Sequence, residues 1–108
     1  MINGKIIKVC GMREAENIQD VESIEGIDML GFIFYPKSPR CVYELPAYLP
    51  THARRVGVFV NEDKQVVSMY ADRFGLNDVQ LHGNESFYRI ENHQGLFWRP
   101  APRLEKGV

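Results

Sequence analysis

The side chains with chemistry to offer are a thiol, a guanidinium, two amides and an imidazole, and each follows a short apolar run. Cys10 closes residues 5–10, Arg40 lies in the loop after 27–35, Asn61 closes 54–61, and Gln80 and His82 close 77–82. In parallel α/β sheets reactive groups gather past the C-terminal ends of strands. Strand periodicity puts Lys8 and Cys10 on one face and Ile7 and Val9 on the other. The same rule sets Gln80 and His82 against Val79 and Leu81. An interior sheet packs its apolar face on helices, so the polar face must look into a cavity, a ligand or a barrel interior. Unpaired buried polar groups there would cost about 1–3 kcal/mol each. The pattern implies a small-molecule pocket lined by a thiol, an amide, an imidazole and a guanidinium. Singly, each has a plainer role. A strand cysteine is commonly a small buried hydrophobe, a histidine after a strand a hydrogen-bonded structural residue, Arg40 a solvated loop charge, and Lys8 a snorkelling side chain. Their common place at one end of one sheet favours the pocket.

The elements that must position them read off the hydrophobic period. Residues 5–10 are β-branched and end at Gly11, which predicts a strand. Ala15, Ile18, Val21 and Ile24 recur on one helical face across 12–25, and Gly26 fits the stop. Residues 27–35 form an almost unbroken apolar run, short for a helix, which predicts a second buried strand. Pro36 and Pro39 make 36–40 a loop, and Pro46 leaves 41–50 weakly helical at best. Residues 54–61 predict a third strand, with Asn61 as N-cap of a helix over 62–74. Residues 77–82 predict a fourth strand, and 85–92 could open a further helix. The order β-α-β-(α)-β-α-β-(α) predicts a parallel sheet with right-handed crossovers. Residues 93–108, with two prolines and one tryptophan, show no period and are left unassigned.

Composition narrows the classes further. The 108 residues are 44% hydrophobic and 25% charged, as in one small globular domain. Thirteen basic against fourteen acidic residues give a net charge of −1, which argues against a general grip on nucleic acid. No apolar run approaches the length of a spanning helix, and residues 1–8 lack the marks of a signal peptide. Two cysteines make no disulfide scaffold, so the cytoplasm is the expected compartment. Cys10, Cys41, His52, His82 and His93 lack the paired spacing of zinc ligands. There is no Walker loop and no Gly-x-Gly-x-x-Gly.

Four strings together are more specific: KVCGM at 8–12, GFIFYPKSPR at 31–40, RVGVFVN at 55–61 and VQLHG at 79–83. In order and spacing they resemble phosphoribosylanthranilate isomerase, the tryptophan-biosynthesis enzyme with a TIM-barrel fold, over residues 5 to about 88. The resemblance implies an Amadori rearrangement of N-(5-phosphoribosyl)anthranilate to 1-(2-carboxyphenylamino)-1-deoxyribulose 5-phosphate, with no metal or organic cofactor. It implies Cys10 as the catalytic base, and Arg40, Gln80 and His82 as substrate-site residues. A thiolate can abstract a proton α to an iminium, and Arg40 could take a carboxylate bidentately.

The fold this implies is α/β, the parallel (β/α) units of a TIM barrel with about four strands present, a half-barrel or truncated barrel. Residues 1–92 would be the N-terminal half of a (β/α)8 barrel, since a complete one needs about 200–250 residues. The family's general-acid aspartate and its phosphate loops lie on later strands, and Asp63, Asp72 and Asp78 stand outside the matching motif. Strands one and four would be open edges, inviting self-association. Two other functional readings remain: a non-catalytic half-barrel assembly module, and another phosphosugar isomerase or epimerase barrel. The expected partner is a small-molecule phosphosugar-anthranilate substrate, with neither nucleic acid nor membrane.

Overall fold

The structure, a computed structural model, describes residues 1–42, 44–82, 86–90 and 98–100, with backbone alone for 82, 86, 87, 89, 90 and 98–100. The chain runs β1 (Lys8–Cys10), α1 (Ala15–Glu22), β2 (Met29–Ile33), β3 (Arg54–Val60), α2 (Lys64–Phe74), β4 (Asp78–His82), β5 (Ser86–Ile90) and β6 (Trp98–Pro100). One sheet holds the strands in the order β1-β2-β3-β4-β5-β6. The four strands expected from sequence pair in parallel, with Cys10 beside Gly31, Gly31 beside Val56, and Val58 beside Gln80.

Period two then sorts the side chains. Leu30, Phe32, Phe59 and Val79 point to the helix side and are fully buried with Ile18 of α1 and Val67 and Phe74 of α2. Phe34 continues this layer, stacked on Phe59 at 4.9 Å and on Tyr70 at 4.5 Å, with the edge of Phe74 at 4.9 Å. Burying such rings is worth about 1.5–3 kcal/mol each, and it sets which face of the sheet turns away from the helices. The opposite, inner face has a smaller apolar floor of Met29 and Val56 with Ile6 against them. Beside it the buried Asp78 carboxylate accepts from Arg54 Nε at 2.8 Å and Nη2 at 3.2 Å. That aspartate is committed to an ion pair near the strand starts, far from the strand ends where chemistry is expected.

Three expectations are corrected. Residues 85–92 contain no helix among the described residues. Ser86–Ile90 is a strand, antiparallel to β4, with Gln80 beside Phe87. The outer edge of β4 is consequently paired rather than open, and Trp98–Pro100 adds a further antiparallel strand. Asn61 does not cap α2. Asp63 holds the N-cap position without a side-chain bond, and Asn61 instead turns the chain out of β3 at φ 49°, a conformation asparagine tolerates better than most residues.

The long β2–β3 connection has no helix among its described residues and is tied down by one carboxylate. Glu22, at the C-terminal end of α1, accepts from the Tyr48 hydroxyl and from the consecutive backbone N–H groups of Thr51, His52 and Ala53 at 2.9, 3.0 and 3.0 Å. Its position at a helix C-terminus is electrostatically unfavourable. Burial pushes its carboxyl up, but the Tyr48 hydroxyl and the Ala53 and His52 N–H groups outweigh burial and hold it down at about 2. Arg55 works from the other side, donating to Phe74 O at 2.9 Å and Pro50 O at 2.7 Å. Because the Glu22 value in the folded chain is depressed, its stabilisation is full above pH ~4.5 and is lost as pH falls toward 2. Glu22→Ala should cost about 2–4 kcal/mol in urea unfolding at pH 7 and flatten the loss of stability between pH 5 and 2. An unchanged acid limb would show that this carboxylate does not anchor the connection.

Candidate functional site

The C-terminal ends of β1 and β2 bring Cys10 and Arg40 together through two glycines. Gly31 is the inner-face neighbour of Cys10 in the sheet register. A Cβ built on Gly31 would stand 2.7 Å from Cys10 Sγ. The thiol therefore lies across bare β2 backbone on the inner face, half-buried, and not among the helix side chains. Gly11, the next residue after the thiol, has φ 87°, in the left-handed region that favours glycine. A Cβ there would meet Arg40 Cδ and Nη1, each at 2.9 Å. The exposed Arg40 side chain thus lies directly over the turn that follows Cys10.

Local contacts hold Arg40 there. The 36–40 loop is closed by Ser38 N–H donating to Tyr35 O at 2.9 Å and Cys41 N–H to Ser38 O at 3.1 Å, while Val42 N–H returns to Ile33 O at 2.9 Å. Arg13, on the β1–α1 loop, donates from Nη1 to Pro39 O at 3.1 Å. The two loops that flank the thiol are thereby joined. An open cavity of about 300 Å³ beside this junction is lined by Arg13, Cys41, Val42 and Glu44. It lies on the loop side rather than on the thiol's inner face. Cys41 is buried, with its Sγ directed to Val42 O, and stays apart from Cys10.

From β4, Gln80 shares the inner face with Asp78, and its Oε1 accepts a hydrogen bond from Lys8 Nζ. Strands β1 and β4 are separated by three strand spacings, about 14 Å on a flat sheet. Two side chains meet across that span only if the sheet curls toward the inner face, as in a barrel wall. His82 is placed by its backbone beside Val60, and its side chain lies outside the described residues. Three of the four candidates are thus located by atoms, in two groups: thiol with guanidinium at β1 and β2, amide with ammonium between β4 and β1.

Sequence reasoning missed the groups that make room for this arrangement. Gly31 enters only as a member of a motif and Gly11 only as a motif member and strand end, although they leave space for the Cys10 and Arg40 side chains. Lys8 was placed on the correct face without its partner. The signal available was the pairing of a glycine on one strand with a cysteine on its neighbour, which needs register to interpret.

The family model described as N-(5'phosphoribosyl)anthranilate (PRA) isomerase matches residues 7–97. The N-(5'-phosphoribosyl)anthranilate isomerase of Phocaeicola vulgatus is 53% identical over 81 residues, covering 75% of this chain and 39% of the relative. That of Thermotoga neapolitana is 46% identical over 86 residues, covering 74% and 41%. The chain thus spans about two fifths of the length of the curated relatives it matches. Among solved structures, phosphoribosyl anthranilate isomerase from Thermotoga maritima is 38% identical, with a TM-score of 0.57, over 71% of this chain and 40% of that one. A structure of the isomerase in complex with reduced 1-(o-carboxyphenylamino)-1-deoxyribulose 5-phosphate has the same identity and TM-score, over 71% and 42%.

Gly31→Ala should place a methyl group against Cys10 Sγ. We expect a loss of about 1–3 kcal/mol in urea unfolding, as for overpacking elsewhere. Thiol alkylation should report the same change. In the wild-type chain half-buried Cys10 should react well before Cys41, and Gly31→Ala should alter the Cys10 rate alone. An alanine variant with native stability and native Cys10 reactivity would remove the steric coupling.

Proposed function

The chain belongs to the N-(5'-phosphoribosyl)anthranilate isomerase family, and from that premise we propose that its strand ends form the thiol side of an Amadori isomerase site in tryptophan biosynthesis. The substrate is N-(5-phosphoribosyl)anthranilate, and the product is 1-(2-carboxyphenylamino)-1-deoxyribulose 5-phosphate. The observation that carries the reading is Cys10 Sγ lying on the inner face over Gly31, with Arg40 folded over Gly11 immediately beyond it.

In this reading a general acid protonates the furanose ring oxygen, and the ring opens to a Schiff base. Cys10 as thiolate takes the C2 proton, and the C2–H electron pair forms the enolamine as the iminium is neutralised. Tautomerisation then adds a proton from the Cys10 thiol to C1, and the C2 hydroxyl proton returns to the conjugate base of the general acid, which leaves the carbonyl at C2 and restores both the thiolate and the acid. Arg40, exposed and held by the Arg13–Pro39 contact, takes the anthranilate carboxylate with its planar fork. Gln80 and His82 contact the ligand from β4.

None of the three aspartates noted in the sequence suits the acid role. Asp78 is buried against Arg54, and Asp63 and Asp72 belong to the cap and body of α2. In the resembled family the acid and the phosphate loops come from later strands, so full turnover requires those elements. The reading needs no metal or organic cofactor. Its partner is a phosphosugar-anthranilate, not nucleic acid or membrane, and its setting is the cytoplasm. No helix among the described residues is long and apolar enough to cross a membrane. Association between copies through sheet edges is narrowed to β1 and β6, because β5 covers β4.

The test combines binding and turnover. The chain is titrated with reduced 1-(o-carboxyphenylamino)-1-deoxyribulose 5-phosphate, alone and together with the C-terminal half of a relative, and substrate conversion is followed in the mixture. Cys10→Ser should bind the reduced analogue within about threefold of wild type and lose turnover by at least about 100-fold. Arg40→Ala should weaken analogue binding about 10- to 100-fold, the effect of losing one charge-assisted pair. Wild-type binding that fails under both conditions, or a serine variant with near-native turnover, would overturn this reading.

A further inference from the structure

The contact between Lys8 and Gln80 joins the first and fourth strands of the parallel set across the inner face. An ammonium has three donors and no acceptor. It can engage a glutamine amide only through the carbonyl oxygen. The bond therefore decides which end of the amide turns away. With Oε1 held by Lys8, Nε2 and its two hydrogens are left for whatever occupies the inner face. Among the described residues no group takes up those hydrogens. Without the ammonium the amide could rotate by half a turn and present an acceptor instead, because its two ends are nearly the same size.

We propose that Lys8 is a positioning residue that fixes Gln80 as an obligate hydrogen-bond donor toward the ligand. The position then selects an acceptor oxygen, such as a sugar hydroxyl or carbonyl oxygen, and disfavours a ligand N–H at the same place. The inference deepens the proposed isomerase site and rests on it for the identity of the ligand. The orientation of the amide does not depend on that identity. Lys8 itself lies on the floor side of Cys10, two residues earlier on the same strand face, and gives one of its donors to Gln80. Its part is to act through the amide rather than on the reacting atoms. A site built this way avoids the reorientation that a free amide would undergo on binding.

The experiment reads orientation and affinity separately on the full chain. The side-chain 15N–1H signals of Gln80 are recorded by NMR in wild type, Lys8→Met and Lys8→Arg. We expect Gln80 signals displaced from free-amide positions in wild type, collapse toward those positions in Lys8→Met, and recovery in Lys8→Arg, which restores the donors. Unchanged Gln80 signals in Lys8→Met overturn the proposal, whatever the chain binds. Affinity for the same reduced analogue should fall about tenfold in Lys8→Met and stay within about threefold in Lys8→Arg. Gln80→Met and the double variant Lys8→Met/Gln80→Met should weaken binding equally, because the lysine acts only through the amide. Additive losses overturn that route. If the wild-type chain fails to bind the analogue, alone and with the C-terminal half of a relative, the isomerase reading falls, while the NMR comparison still decides the role of Lys8.

Discussion

Everything in this chain follows from the two-faced character of four parallel strands. Leu30, Phe32, Phe59 and Val79 cannot share a face with Gly31, Val58 and Gln80, because successive Cβ atoms alternate. The aromatic layer against α1 and α2 is the larger of the two apolar clusters, and it turns the other face away from the helices. A one-residue slip of β1 would turn Cys10 into the helix layer and Val9 into the site. The parallel register, with Cys10 beside Gly31 and Val58 beside Gln80, therefore decides which side chains share the thiol's face.

Polar groups on the inner face are handled by pairing at two levels. Near the strand starts Asp78 and Arg54 neutralise one another, with the carboxylate fully buried. Higher on the same face Lys8 donates to the Gln80 carbonyl oxygen across the curl of the sheet. Only toward the strand ends does a thiol meet open space, and there glycines replace side chains. The gradient runs from closed ion pair to fixed hydrogen bond to half-buried free thiol. It matches the general tendency of α/β proteins to place stability at one end of the strands and chemistry at the other.

The loops are governed by single anchors rather than by regular structure. Glu22 gathers three successive N–H groups and so sets where β3 begins, while Arg13 ties the loop that carries Arg40. Neither residue stands in the strings that resemble the family. Both act on where a functional residue or strand sits, which is why a segment of 20 residues between β2 and β3 needs no helix to hold its course.

The four parallel strands, both helices, and the sharing of a face by Lys8 with Cys10 could be read from residue order, because periods of 2 and 3.6 are local properties of the chain. The family likeness was also readable, since it rests on short strings. The strand at Ser86–Ile90 was not, because its apolar and polar residues fit either period and only pairing with β4 decides between them. The N-cap at Asp63 rather than Asn61 escaped for a related reason: neighbouring polar residues are equivalent in sequence until the backbone turns. What the tertiary structure alone decided is who meets whom at a distance. Glu22 meeting residues 51–53, Arg40 lying over Gly11, and Lys8 reaching Gln80 72 positions away depend on register and sheet curvature, which no local pattern encodes.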